Sequence, residues 1–317
     1  MGYITNFPDG IMASPLIGGG SEYAGWYGTN AWFVDGDNGN DLNPGTSTEP
    51  FATIQAGINA AGSQDTVFIR TLAPDATDLS EPGTYEEDLT IAVAKHGLKL
   101  VGVGGTQNLQ PFGGPKIKNA TATALLTINA SNVLIKGLQF NCTRNSGTYG
   151  IYTDGSDLAA SGGSVGLQVI DCYFKNCSAT YGGIYLEGGY CSLISRCTFH
   201  LGTNNLGVYI DSNATPSNGH TVEYCNFKSN NGAAVAKHLH IRGGAEDVTV
   251  HGCTFGEATV FILVAGTPSG LISGCYFTDA SATLANSTGK VTIPATQTMK
   301  CTGCWGGVSL AVIQSAA

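Results

Sequence analysis

Charge is scarce in this chain. Asp, Glu, Lys and Arg make up 12 % of 317 residues, and their balance is −9 at neutral pH. A net negative protein is repelled by nucleic acid and by anionic membrane surfaces, so neither is expected as a partner. Long hydrophobic runs are missing too. The longest, Val260 to Ala265, is far too short to cross a bilayer. The opening Met1-Gly-Tyr-Ile-Thr-Asn-Phe-Pro-Asp-Gly10 has no basic stretch followed by an apolar one, so no secretory leader is expected. Asn6 stands where a myristoylation site at Gly2 would need Ser or Thr. These absences predict a soluble chain made in a cytoplasm. No Gly-rich loop carries the lysine of a P-loop, and no Ser-His-Asp constellation emerges from residues this scattered. No cofactor is expected.

What is abundant is repetition. Cys172-Tyr173-Phe174, Cys197-Thr198-Phe199, Cys225-Asn226-Phe227, Cys253-Thr254-Phe255 and Cys275-Tyr276-Phe277 are copies of one motif. Each has an aliphatic residue three places before the Cys: Val169, Ile194, Val222, Val250 and Ile272. A copy without cysteine, Ile135-Lys-Gly-Leu-Gln-Phe140, comes earlier. Copies roughly 20 to 30 residues apart, built of strand and turn, mean a stacked β solenoid. The 45 glycines, with no collagen period, suit its many tight turns. An apolar share of 42 % is enough for a continuous core.

The cysteines sit two places before a Phe, which is a packing signature. Stacked turns lie about 4.8 Å apart, within the range a disulfide tolerates. Geometry therefore does not forbid bridges; a reducing compartment does, and free buried thiols are expected. Cys301-Thr-Gly-Cys304 has zinc-knuckle spacing but no second pair, so no metal site is expected there. Cys304-Trp305 reads better as a last, degenerate copy of the motif.

Residues 1–30 are Gly-rich and aperiodic, and read as an attachment arm that becomes ordered against a partner, or as a poorly ordered tail. Residues 31–62 hold a short strand, Trp32 to Asp35, and a helix over 50–61. Phe51, Ile54, Ile58 and Ala61 recur there at helical spacing behind Pro50. That helix is expected to cover the open end of the solenoid. Residues 63–289 are the solenoid, and 290–317 a segment that closes its far end or reaches a neighbour.

The order "FVDGDNGND…GTSTEPFATIQAGINAA…DTVFI…PGTYEEDLTI…LKLVGVGG" resembles the start of right-handed parallel β-helix proteins of the pectin-lyase-like superfamily. The resemblance covers about residues 31 to 300. It implies an all-β, single-stranded right-handed parallel β-helix with an N-terminal capping helix. It implies little about function, because that fold hosts lyases, hydrolases, adhesins and viral spikes. More narrowly, "YITNFPDGI", a Gly-rich spacer and "FVDGDNGND…PFATI" are similar to bacteriophage virion proteins with a compact β-helix. The insertion Thr71 to Glu81 departs from the tidier family pattern.

A second strand recurs in each turn: Ile151 to Asp154, Ile184 to Glu187, Val208 to Asp211, Leu239 to Arg242 and Ile262 to Ala265. Alternation puts the aliphatic residues inward. Two outward columns remain. One is Tyr152, Tyr185, Tyr209, His240, Leu263; the other is Asp154, Glu187, Asp211, Arg242, Ala265. An exposed aromatic column beside carboxylates has three readings. It is a subunit interface, since Tyr combines an apolar body with a polar tip. It is a sugar-binding face. Or Glu187, Asp211 and Arg242 are catalytic, loosely resembling the acids and arginine base of polysaccharide lyases of this fold. Neighbouring turns would set the acids roughly 5 Å apart, near the separation in retaining glycosidases. Stacked acids are equally a solvated column, with Arg242 relieving the repulsion.

Other candidates are weaker. Asp35-Gly-Asp37-Asn-Gly39-Asn-Asp41 imitates a calcium loop, but the twelfth position is Thr46. Asx-capped turns explain it. His238 and His240 fall on one strand face, and two imidazoles alone do not make a metal site.

The expected function is a non-enzymatic bacteriophage virion protein: a capsid decoration, cement or head-fibre protein located in the virion. Its expected partners are itself, as a homotrimer, and the major capsid protein or another virion protein. The trimer is implied partly by the resemblance and partly by the Tyr column. The rival is a tailspike-like depolymerase or lyase, or a glycan-binding adhesin, acting on a host-surface glycan. The loops Asn145 to Gly150 and Asp157 to Gly166 are too short and Gly/Ser-rich to wall a deep cleft.

Overall fold

Each repeat folds into one turn of a coil with three short strands. The computed structural model describes residues 30–75, 78–104, 114–118, 124–142, 149–153, 165–175, 182–202, 206–212, 216–229, 235–256, 258–278, 291–293, 298–306 and 311–313. Strands stack into three long sheets. Sheet I has ten strands, from Ala31–Val34 to Thr298–Thr302, in chain order and all parallel. Sheet II runs from Thr84–Glu86 to Cys304–Gly306, also parallel. Sheet III runs from Leu89–Ile91 to Val291–Thr292. One turn visits I, II and III in order, as in Gln168–Ile170, Tyr173–Lys175 and Ile184–Glu187. This is the stacked β solenoid that the repeats predict, and the parallel β-helix that the family resemblance implies.

Inward columns form the core. Phe140, Phe174, Phe199, Phe227, Phe255 and Phe277 are fully buried on sheet II, with successive ring centroids 4.9, 4.8, 4.6, 4.8 and 5.2 Å apart. Offset stacking of this kind adds to the burial of each ring. Val169, Ile194, Val222, Val250 and Ile272 line sheet I, and Ile151, Ile184, Val208, Leu239 and Ile262 line sheet III, all in the core.

The corner between sheets I and II explains the cysteines. The residue before each corner cysteine turns through the left-handed region: Asp171 (φ 54), Arg196 (φ 52), Tyr224 (φ 50), Gly252, Gly274 and Gly303. That turn aims the next side chain into the core, Leu138 after Gly137 in the earlier copy and cysteine in the later ones. Cys172, Cys197, Cys225, Cys253, Cys275 and Cys304 are all buried, each thiol near the carbonyl two residues back. None of the nine described cysteines is in a disulfide. Burial raises the Cys197 thiol well above its ordinary range, so that sulfur packs as a neutral hydrophobe.

The N-terminal helix spans Ile54–Ala60, shorter than the periodicity predicts. Thr53 caps it, Asp41 accepts from the Ala52 and Thr53 amides, and Glu87 accepts from the Ile54 and Gln55 amides at 2.8 and 2.9 Å. The acid-rich loop is thus occupied by its own backbone. Asp35 takes the Asp37 amide, Asn38 and Arg70, and Asp37 takes the Ala73 amide. At the far end the pairing outruns the boundary expected at 289. Thr298–Thr302 and Cys304–Gly306 form a further turn, with Trp305 in register with Tyr276. Ala311–Ile313 then adds to sheet II antiparallel. The expected arm lies outside the described residues, apart from Asn30.

Candidate functional site

The outward face of sheet III carries the aromatic column. Parallel register places Tyr152, Tyr185, Tyr209 and His240 directly above one another. Turn spacing suits ring stacking, and the centroids lie 5.4, 5.0 and 4.7 Å apart. Tyr149 joins from the side, 5.6 Å from Tyr152 and edge-on to Tyr185.

The column is not the exposed face that alternation predicts. Tyr185 is 6 % exposed and Tyr209 3 %, and with Leu206 they form a second buried cluster outside the main core. The reason is mutual: each ring covers the faces of its neighbours, while Leu206 and Tyr149 pack on the flank. Tyr152 and His240 are half-buried and mark the rim.

The acids are not a solvated column either. The Tyr152 hydroxyl donates to Glu187 Oε2 at 2.5 Å. Asp211 is 7 % exposed; it accepts from the Tyr209 hydroxyl at 3.1 Å and lies 3.8 Å from the Arg242 guanidinium. Arg242 also donates to the Tyr209 hydroxyl at 3.1 Å. Phenol hydroxyls hydrogen-bond both acids, and one guanidinium pairs with Asp211. Asp154 lies outside the described residues. Leu263 and Ala265 continue the two columns as apolar side chains.

Electrostatics follow burial. Desolvation raises the Tyr185 phenol, helped by the charges of Glu187 and Asp211. Desolvation also raises Tyr209. His240 is lowered to about 4 by burial first, then by Lys237 and Arg242, so its imidazole is neutral at neutral pH. The ladder is a neutral stack with Arg242 at its edge, 45 % exposed.

His238 does not share a face with His240. It is fully buried and packs on Phe227, Phe255 and Phe261, whereas His240 stacks on Tyr209. Strand alternation fails here: His238 and Leu239 are both fully buried. Earlier turns place Gly150, Gly183 and Gly207 at that position. A Cβ on Gly183 or Gly207 would come within 3.2 or 2.8 Å of the Phe199 or Phe227 ring. The missed partners Tyr149 and Leu206 precede these glycines, so the recurring Gly before an inward aliphatic was the available signal. Among the described residues no group of three or more His, Cys, Asp or Glu is arranged to hold a metal ion. None of their helices is long and apolar enough to cross a membrane.

Residues 101–269 match the family described as right handed beta helix region. No curated protein matches the chain. Among solved structures, the Geobacillus virus E2 ORF18 protein is similar at 18 % identity and TM-score 0.53, over 81 % of this chain and 55 % of its own. A rhamnogalacturonan lyase is similar at 15 % identity and TM-score 0.51, over 78 % of this chain and 68 % of its own. A pectin methylesterase from Aspergillus niger is similar at 13 % identity and TM-score 0.50, over 88 % and 85 %. At such identities the likeness is one of fold.

Proposed function

The chain belongs to the right-handed β-helix family, and on that premise we propose that it is a non-enzymatic structural component of a bacteriophage particle. It sits on the outside of the capsid, self-associated as a trimer and bound to the major capsid protein or another virion protein. One observation carries the reading against the enzyme alternative. The acids available for glycan chemistry, Glu187 and Asp211, are each engaged inside the ladder by Tyr152, Tyr209 and Arg242. A general acid or base has to reach a substrate proton, and a buried Asp211 behind its own ring column does not offer that reach. The fold likeness to a virus protein and the resemblance of the opening segments support the virion assignment. Self-association falls to the accessible rim of Tyr152, His240 and Arg242.

The test has two arms. In washed, intact particles, an antibody to the chain should label the capsid surface. Purified wild type and the Glu187→Gln/Asp211→Asn variant should be equally inert towards host capsule and pectin-like polymers. Absence from particles overturns the virion role. Depolymerisation by wild type that the amide pair abolishes, with oligomer size unchanged, establishes the tailspike-like depolymerase or lyase instead.

A further inference from the structure

The last turn departs from the repeat at one position. In the five preceding turns the sheet I residue three before the corner cysteine is Val or Ile. In the last turn it is Cys301, in register with Ile272. One corner thus carries a thiol at both ends, and the two sulfurs lie 3.6 Å apart. Cys301 is 3 % exposed and Cys304 fully buried. The corner turns through Gly303 at φ 60, and a Cβ built there meets nothing within 4 Å. The corner has open space in which to adjust as the sulfurs close to the roughly 2.05 Å of a disulfide.

We propose that Cys301 and Cys304 are an intramolecular disulfide site, open in a reducing medium and closed by a small-molecule disulfide such as oxidised glutathione. One cysteine thiolate attacks a sulfur of the small disulfide, whose S–S bond breaks and releases one small thiol. The second cysteine attacks the resulting mixed disulfide and expels the other. The two protein sulfurs are oxidised and lose two protons; the small disulfide is reduced and takes those protons up as two thiols. The bond ties Thr298–Thr302 of sheet I to Cys304–Gly306 of sheet II. A terminal turn of a solenoid is where opening begins, which admits the oxidant and is where a staple matters most. Cys275, one turn back, is the competing partner. It sits on the neighbouring turn, where the Trp305 amide donates to the Cys275 carbonyl at 2.8 Å, at a spacing a disulfide also tolerates, so peptide mapping has to tell the two pairings apart. The inference does not depend on the virion reading.

The full chain, purified with reductant and then incubated with oxidised glutathione, should be mapped by non-reducing peptide mass spectrometry. The peptide spanning 301–304 should be lighter by two hydrogens, while exposed Cys191 takes up glutathione and shows that the oxidant acted. Cys275→Ser should keep the bond. Cys301→Val, which restores the aliphatic residue of the other turns, should fold and lack it. Oxidised wild type should unfold at a higher temperature than reduced, and Cys301→Val should show no such rise. The proposal fails if Cys301 and Cys304 stay free or carry separate glutathiones while Cys191 is modified. It fails equally if Cys304 pairs with Cys275, or if Cys301→Val shows the same rise.

Discussion

His220 shows what burial does to a single titrating side chain. It is fully buried; its Nδ1 accepts from the Ser192 amide at 3.3 Å, and its Nε2 lies 2.7 Å from Ser217 Oγ. Desolvation lowers its pKa to about 4. The folded value is therefore below the unfolded one, and the unfolded chain binds the proton first as pH falls. Stability should be intact above about pH 6.5, decline between there and about 4, and level off below; the loss is about 3 kcal/mol for this residue. His240 shifts in the same direction, with a smaller effect because solvent screens a half-buried ring. Denaturant midpoints at pH 7 and pH 4 check the prediction. His220→Gln should show a shallower fall than wild type, and parallel falls would mean that other groups dominate.

At the scale of the element, stability is a matter of columns. Phe199→Ala and Phe227→Ala each remove a ring that stacks on two others, and each should cost about 3–5 kcal/mol. Neighbouring turns share their interfaces, so the damage should spread along the solenoid. Hydrogen exchange would show the adjacent turns opening with the mutated one; unchanged midpoints would mean these rings contribute little. The glycines of sheet III are matched to the same rings. Gly183→Ala brings a Cβ to 3.2 Å from Phe199, and should cost about 1–3 kcal/mol by overpacking. In a Phe199→Ala background that cost should shrink, because the ring it meets is gone. Additive losses in the double variant would show that the backbone contact of Gly183, not the ring, sets the penalty.

For the molecule as a whole, the solenoid carries its own caps. The start is clamped by Asp65, which is buried and accepts from the Asn30 and Gly62 amides and from Trp32 Nε1. Deleting residues 1–28 should therefore leave a folded body with an unchanged circular dichroism spectrum, while incorporation into particles is lost. Full occupancy of the truncated chain in virions would move the attachment surface elsewhere. Chain prepared under reducing conditions and denatured with an alkylating agent should show nearly all ten cysteines free. A majority in disulfides would remove the packing account of the corner column.

The solenoid, the Phe and aliphatic columns, the buried thiols and the last degenerate copy at Cys304-Trp305 could all be read from the chain alone. They were legible because inward positions of stacked turns meet similar surroundings, so similar residue types recur. The sequence also located the Tyr152, Tyr185, Tyr209 column and its neighbouring acids. What that column is emerged from the packing across turns. Whether an outward ring is exposed depends on Tyr149 and Leu206 arriving from the start of the strand, a contact across turns that the Gly after each only hints at. The separation of His238 from His240 breaks period-two alternation, with His238 and Leu239 both buried. The left-handed corners at Asp171, Arg196 and Tyr224 were hidden as well, since non-glycine residues adopt that conformation only where the stacked turns on either side hold them to it.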